Sequence, residues 1–155
     1  MGSVVLNADE IKKIIPHREP ILLIDEVEID LGDGQATAVF NLETRLHLFA
    51  GHFPNSPVLP GIYTVEAMAQ AAAVLFLHLN PSFINHTFFF GSIDKVRFRR
   101  TILPDDGQVL IHVKIVHQKI SSQYAAVKLS GRAQVGRDEL AAEATFTGIG
   151  VILPA

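Results

Sequence analysis

The 155-residue sequence contains no cysteine and no tryptophan, and only 19% of its residues are charged. The lack of cysteine excludes disulfides, thiol catalysis and cysteine-based metal sites. A formal net charge of −3 and the absence of a known nucleic-acid-binding motif argue against a nucleic acid partner. The first residues lack the basic and apolar regions of a signal peptide. We therefore expect a soluble, cytoplasmic protein with one domain over residues 1–155.

What the chain does contain is one long apolar run, residues 62–79, shortly after Pro60. Pro60 suits a first helical position because its missing N–H would have no partner there, and Pro81 follows the end of the run. The run predicts a single helix, and a helix that is apolar on all sides is buried. Its length would suffice to span a membrane, but Glu66 and Gln70 within it argue against insertion.

Glu66 stands out because a carboxylate in a buried helix is paired, held protonated by desolvation, or used in catalysis. The loop before the helix carries His52 together with three prolines and two glycines, which make it stiff. A histidine and a buried carboxylate on rigid supports suit a general base and a general acid. The first N–H groups of the helix, near Gly61, can stabilise a carbonyl oxygen that gains negative charge.

The loop and the helix together resemble the signature of the FabZ type of 3-hydroxyacyl-(acyl carrier protein) dehydratases. The matching residues are Gly51-His52-Phe53-Pro54, Pro57-Val58, Pro60-Gly61 and Glu66-Ala67-Met68-Ala69-Gln70. Three further stretches agree with that family, at residues 15–25, 93–100 and 142–144. The resemblance implies an α+β fold of the hot-dog type, in which a curved antiparallel sheet wraps around the long central apolar helix.

The same resemblance implies conversion of a (3R)-3-hydroxyacyl thioester on acyl carrier protein to the trans-2-enoyl thioester plus water. In that family His52 matches the residue that removes the proton next to the thioester carbonyl, and Glu66 matches the one that protonates the leaving hydroxyl. The backbone N–H of Gly61 would polarise the carbonyl. No cofactor is needed beyond the phosphopantetheine arm of the carrier. The family's sites combine the histidine and the glutamate of different subunits, which implies homodimers, often assembled further into trimers of dimers.

Other residues have two readings each. Gln70, one helical turn beyond Glu66, either orients that carboxyl or its water, or makes a simple hydrogen bond between helices. His17 matches a family motif near the site and is predicted to be structural. His112 and His117 fit the solvated face of a strand, and His47, His78 and His86 have no partner at ligand spacing, so we expect no metal site.

A basic stripe and an aromatic cluster complete the candidate residues. The stripe is either a solvated strand face or a docking surface for acyl carrier protein, and it consists of Lys95, Arg97, Arg99 and Arg100. The family resemblance places the aromatic cluster, Phe88, Phe89 and Phe90, beside the acyl tunnel without indicating which ring limits the chain length.

Three functions remain open at this point. The chain is a dehydratase, another hot-dog enzyme such as a thioesterase or an isomerising dehydratase, or a non-catalytic subunit that binds acyl thioesters. Within the family the isomerising relatives have an aspartate at this position, so a glutamate at position 66 favours simple dehydration.

Secondary structure outside the central helix is predicted from local patterns. Asn7 and Glu10 have the spacing of a helix N-cap and its partner. Alternating or apolar stretches predict strands over residues 21–29, 35–41 and 87–100, followed by three more strands towards the C-terminus.

Overall fold

A computed structural model of the chain describes residues 2–154. Two α-helices are present in this range, α1 (Ala8–Ile14) and α2 (Ile62–Leu79). The strands are β1 (Ser3–Asn7), β2 (Glu26–Asp30), β3 (Gln35–Asn41), β4 (Thr87–Phe98), β5 (Gln108–Ile120), β6 (Tyr124–Val135) and β7 (Glu139–Val151). Short 3-10 turns occupy Leu46–Leu48, Pro81–Phe83 and Pro104–Asp106.

The seven strands form one antiparallel sheet in the order β1-β2-β3-β5-β6-β7-β4. β1 and β4 are therefore its edge strands. The pairing of β4 with β7 is interrupted by register shifts between Phe90 and Ser92 and between Ile93 and Lys95. Such bulges bend a strand and increase its twist. The outer edge of β4 has no strand partner within residues 2–154.

The sheet wraps around α2, whose contacts reach β2, β3, β5, β6 and β7. Alternate residues of β6 are buried against the helix, as the period of a strand requires. At Gly131 the approach is so close that an added Cβ would lie 2.6 Å from Met68 Sδ, so a side chain here would displace the Met68 side chain of α2. The predicted hot-dog arrangement is confirmed.

The central helix is long and apolar enough to cross a membrane by those two criteria alone. However, 61% of its apolar window is buried inside the protein, where the sheet surrounds it. Core helices of globular proteins have this combination of high hydropathy and internal burial.

Several local predictions are confirmed. Asn7 and Glu10 form the predicted capping box of α1, with bonds of 2.8 and 3.0 Å. β3 and α2 have the predicted bounds, although Pro60 lies two residues ahead of the first helical residue, Ile62. β4 ends at Phe98, two residues earlier than predicted.

At the N-terminal end one predicted strand was too long and one strand was not predicted. The strand predicted over residues 21–29 is reduced to β2, because the backbone groups of Ile21 and Leu23 bind the Gln70 side chain instead of a neighbouring strand. β1 was not predicted. It exists because it pairs with β2 over its whole length, a tertiary contact that five residues alone do not reveal.

Candidate active site

The Glu66 carboxyl lies at the polar end of an apolar cavity of about 240 Å³ between α2 and the sheet. The helix positions it about one turn from its N-terminus, and 25% of the side chain is exposed. The remaining lining is almost wholly apolar, except for His17, and consists of Ala69, Ala72, Ala73, Phe76, Phe88, Phe89, Phe90, Val127, Leu129, Phe146 and Gly148. We call this space the Glu66 cavity. The cavity suits an alkyl chain that lies against the apolar lining and has one end beside the Glu66 carboxyl.

Gln70 holds the Glu66 carboxyl in one orientation. Its Nε2 donates to Glu66 Oε1 at 2.9 Å and to the carbonyl of Ile21 at 2.7 Å. Its Oε1 accepts the N–H of Leu23 at 2.9 Å. Gln70 therefore contacts the carboxyl, and its other bonds go to the non-helical segment at Ile21 and Leu23 and not to a second helix.

His17 contacts Glu66 as well, which sequence reasoning missed. Its Nε2 lies 3.8 Å from Glu66 Oε1 and both side chains are 25% exposed. Burial lowers the pKa of His17, the charge of Glu66 partly opposes this, and Arg18 adds to the lowering. The only signal in the sequence was its place in a family motif, because nothing in the local pattern shows that the segment folds back onto α2.

His52 lies on the loop before α2, where the backbone fixes its ring. Its Nδ1 is 2.9 Å from the carbonyl of Val58, and the Val58 N–H returns a 2.7 Å bond to the carbonyl of His52. The ring also stacks on Phe53 with centroids 4.3 Å apart. Because a carbonyl only accepts, Nδ1 carries the proton of the neutral ring, and Nε2 is left with a free lone pair.

The His52 ring opens into a second cavity of about 510 Å³. Its other lining residues are Val58, Leu59, Gly61, Ile62, Thr64, Phe98, Arg99, Arg100, Thr101, Ile102, Ala141 and Ala142. We call this space the His52 cavity. It shares no lining residue with the Glu66 cavity, so one subunit does not bring His52 and Glu66 to the same space.

Gly61 borders the His52 cavity at the N-terminus of α2. Within residues 2–154 its N–H has no backbone or side-chain acceptor, and the positive end of the helix macrodipole lies there. The Phe98 ring packs so closely on Gly61 that an added Cβ would lie 2.6 Å from it. The free N–H is thus available to an oxygen atom, and a side chain at this position would disturb the cavity wall.

Comparison with known proteins places this arrangement in a family. The FabA-like domain matches residues 15–144. The chain is 44% identical over 141 residues to a 3-hydroxyacyl-(acyl carrier protein) dehydratase FabZ of Pelotomaculum thermopropionicum, covering 90% of this chain and 95% of the relative. It is 40% identical over 142 residues to the FabZ of Ligilactobacillus salivarius, covering 92% and 98%. The chain belongs to the FabA-like family and groups with its FabZ dehydratases.

Structural comparison agrees on the fold. A mutant thioesterase from Pseudomonas aeruginosa superposes with a TM-score of 0.64 at 15% identity, covering 96% of each chain. At that identity the likeness concerns the hot-dog fold alone. FabZ dehydratases and thioesterases thus share one scaffold, and the reaction must be argued from the residues of each site.

The basic stripe expected on this FabA-like chain is divided by its ion pairs. Arg99 contacts Glu143 at 3.0 Å, a bond that lowers the pKa of Glu143. Arg100 contacts Asp106 at 3.1 Å and Glu139 at 3.0 Å. Both arginines line the His52 cavity.

Lys95 and Arg97, the other two members of the stripe, are exposed on β4. Among the residues that the structure describes, neither has a carboxylate within ion-pair distance. Their charges are therefore more available to a partner than those of Arg99 and Arg100.

The three consecutive phenylalanines all reach the Glu66 cavity but differ in their packing. Phe88 packs edge to face on Phe76, with centroids 5.2 Å apart, and Phe90 packs similarly on Phe146 at 5.7 Å. Phe89 is 51% exposed. Phe88 lies directly over the backbone of Gly150, where an added Cβ would lie 2.4 Å from the ring.

Metal ligands do not gather at either cavity. Within residues 2–154 no three histidine, aspartate or glutamate side chains come together in a way that would hold a metal ion.

Proposed function

We propose that this chain dehydrates (3R)-3-hydroxyacyl thioesters carried on acyl carrier protein to trans-2-enoyl thioesters and water, in fatty acid or related lipid or polyketide biosynthesis. The observation that carries the proposal is the Glu66 carboxyl at the mouth of an apolar cavity, held there by Gln70. The FabZ relatives, whose names state this reaction, support it. A hydro-lyase of this kind works without a cofactor, since the phosphopantetheine arm belongs to the substrate.

The proposed roles follow from the geometry of each half. His52 Nε2 takes the proton from the carbon next to the thioester carbonyl, while the Gly61 N–H stabilises the negative charge that develops on the carbonyl oxygen. The bond from the third carbon to its hydroxyl then breaks as Glu66 donates a proton, and the hydroxyl leaves as water. The protonated His52 and the ionised Glu66 regain their starting states by exchanging a proton with solvent.

Assembly completes the proposed site. His52 and Glu66 open into separate cavities in one subunit, and the free edge of β4 lies beside the Glu66 cavity. Exposed large apolar side chains cluster on β4 and around the start of α2, namely Phe53, Ile62, Phe89, Phe90, Ile93 and Phe98. We infer a homodimer in which His52 of one subunit meets Glu66 of the other, with a trimer of dimers as the larger assembly implied by the family.

Carrier docking is proposed for the basic stripe beside the His52 cavity. Lys95 and Arg97 supply charges free to attract an acidic carrier, and Arg99 and Arg100 line the cavity that the pantetheine arm would enter. Exposed charges of this kind mainly raise the association rate. No nucleic acid partner or membrane insertion is proposed, and the reaction is placed in the cytoplasm, where acyl carrier protein supplies its substrate.

The test is the ultraviolet absorbance of a trans-2-enoyl thioester on carrier protein, which disappears as water adds in the reverse reaction. We expect rapid loss with the wild-type protein. His52→Ala and Glu66→Gln should each lower the rate by roughly 100- to 10,000-fold while the oligomer is retained, because each removes one general acid or base.

A thiol-release assay run in parallel separates the alternatives. Thiol release would assign the protein to the thioesterases, and a non-conjugated enoyl product would indicate isomerisation. With no turnover at any chain length, the protein would be a subunit that binds acyl thioesters without catalysis.

A further inference from the structure

The segment that carries His17, residues 15–25, is fixed at both ends. At the first end the Arg18 guanidinium donates to the carbonyls of Lys12 and Ile15 at 2.9 and 3.0 Å, which satisfies groups left free where α1 ends. At the other end the buried Arg45 binds both carboxylate oxygens of Asp25 at 2.8 Å. A bidentate pair of this kind restricts both partners in distance and angle.

The middle of the segment is bound to α2. Gln70 accepts the N–H of Leu23 and donates to the carbonyl of Ile21, so the segment cannot move away from the helix without breaking both bonds. This arrangement holds His17 over Glu66, although the two residues are far apart in sequence. The bonds that fix the segment therefore also keep the two side chains close together.

The His17 ring is placed to donate towards Glu66. Its Nδ1 is buried and has no hydrogen-bond partner among the described residues. Orphaned N–H groups are rarer in proteins than orphaned acceptors, so the neutral ring carries its proton on Nε2. Nε2 lies 3.8 Å from Glu66 Oε1, which is too long for a hydrogen bond but short enough for a small side-chain rotation to form one.

We propose that His17 is a positioning residue which, together with Gln70, donates to Glu66 Oε1 and so leaves Oε2 as the oxygen that carries and delivers the acidic proton. The inference rests on the proposed dehydratase function. After proton transfer the same two donors stabilise the carboxylate. The charged groups facing His17 are Glu66 on α2 and the neighbouring Arg18.

The charge state of His17 fits this role. Burial lowers the pKa of its imidazole, so the ring stays neutral around neutral pH. A protonated ring would instead place a cation beside Glu66 and favour the ionised carboxyl, which cannot act as an acid. The neutral ring supplies a donor without that charge.

The test compares His17→Leu, which removes the donor, with His17→Gln, which restores one in a similar space. Since the carboxyl loses one of its two orienting donors, His17→Leu should lower kcat by roughly 10- to 100-fold with KM changed less than about threefold. The kcat profile of the wild type should fall at high pH because an ionised Glu66 has no proton to donate. In His17→Leu this alkaline limb should move to higher pH, because a group that stabilises the carboxylate is lost. His17→Gln should recover most of kcat.

His86→Leu is the matched control, because His86 is also buried and both its ring nitrogens lack partners, yet it does not line the Glu66 cavity. The alkaline limb of the kcat profile of His86→Leu should lie at the same pH as in the wild type. Equal losses of kcat in His17→Leu and His17→Gln with an unmoved limb would assign His17 to packing alone and overturn the proposal.

A second readout needs no turnover. The nitrogen chemical shifts of the His17 ring are recorded by NMR at neutral pH in the wild type and in Glu66→Leu. Because Nε2 donates to the Glu66 carboxyl in the proposal, loss of that acceptor should change the Nε2 shift, whereas His86→Leu should leave it unchanged. An Nε2 shift that is the same in Glu66→Leu and in the wild type would overturn the contact between the two side chains. If the wild type shows no dehydratase activity, the proposed function fails, and the ring shifts still decide whether His17 and Glu66 interact.

Discussion

The Glu66 cavity and the His52 cavity differ in how completely one subunit builds them. Around Glu66 the walls are mostly buried apolar side chains, and two neighbouring polar residues are already aimed at the carboxyl. Around His52 the walls include Ile62 and Phe98, which are 60% and 56% exposed. The polar contacts of the acid half are thus complete within the chain, although Phe89 and Phe90 on its β4 side are 51% and 41% exposed. The proposed homodimer would have to cover the exposed walls of the base half.

The largest expected effect comes from combining two inactive variants. His52→Ala and Glu66→Gln subunits are mixed under conditions that allow exchange. If each site takes one residue from each subunit, half of the dimers are mixed and each has one intact site, so about a quarter of wild-type activity should return. The measurement is the enoyl hydration rate before and after exchange.

Activity that stays at the sum of the two separate variants would mean that His52 and Glu66 of the same subunit meet. The proposed homodimer, in which each site takes His52 from one subunit and Glu66 from the other, would then be wrong. Size-exclusion chromatography of the mixture confirms that the variants still associate.

An intermediate effect is expected from Gly61→Ala in the His52 cavity. The new methyl group would lie 2.6 Å from the Phe98 ring, so the ring must turn away. Because Phe98 lines the His52 cavity, this changes the shape of the cavity wall. Because displacement of about 1 Å near the reacting atoms is costly, we expect kcat/KM to fall roughly 10- to 100-fold. Since Phe98 is exposed, Tm should change much less.

Gly51→Ala is the control on the same loop, since nothing lies within 4 Å of a Cβ there. It should change stability by less than about 0.5 kcal/mol and leave activity near the wild-type level. A Gly61→Ala enzyme as active as Gly51→Ala would show that the wall formed by Phe98 does not matter to the site.

The smallest effect concerns the depth of the Glu66 cavity. In Gly150→Ala the methyl group would overlap the Phe88 ring and push it into the space for the alkyl chain. The preferred chain should shorten, with kcat/KM for long substrates reduced roughly 3- to 30-fold relative to short ones, about 0.6–2 kcal/mol. Rates are measured over a series of chain lengths.

The double variant Gly150→Ala, Phe88→Leu tests whether displacement of the Phe88 ring causes the shorter preferred chain. The smaller side chain relieves the overlap, so the double variant should regain long substrates. If it does not, Phe88 is not the ring that limits the chain length.

The parts of the structure that local pattern determines were predictable. The central helix follows from its apolar run and β3 from local alternation, both with the predicted bounds, and β4 ends two residues earlier than predicted. His52, Glu66 and Gly61 were found because their spacing is a motif within a single loop and helix. These features depend on neighbours in sequence.

The features that depend on distant contacts were not predictable in the same way. Residues 21–25 have the composition of a strand, but bonds to Gln70 prevent them from forming one. His17 acquires its place beside Glu66 through the same bonds. The ion pairs of Arg99 and Arg100 depend on β7 and the turn before β5, which sequence spacing does not bring together.

The unpaired edge of β4 has a consequence for the life of a newly made subunit. A strand of 12 residues with Phe89, Phe90 and Ile93 exposed is a template for strand addition by any other extended chain. The proposed homodimer would cover it, and edge-to-edge aggregation is the competing outcome. Both are encounters between chains, so solubility during synthesis depends on how quickly a subunit meets its proper partner. The feature that completes catalysis would thus also make an orphan subunit a substrate for chaperones and proteases.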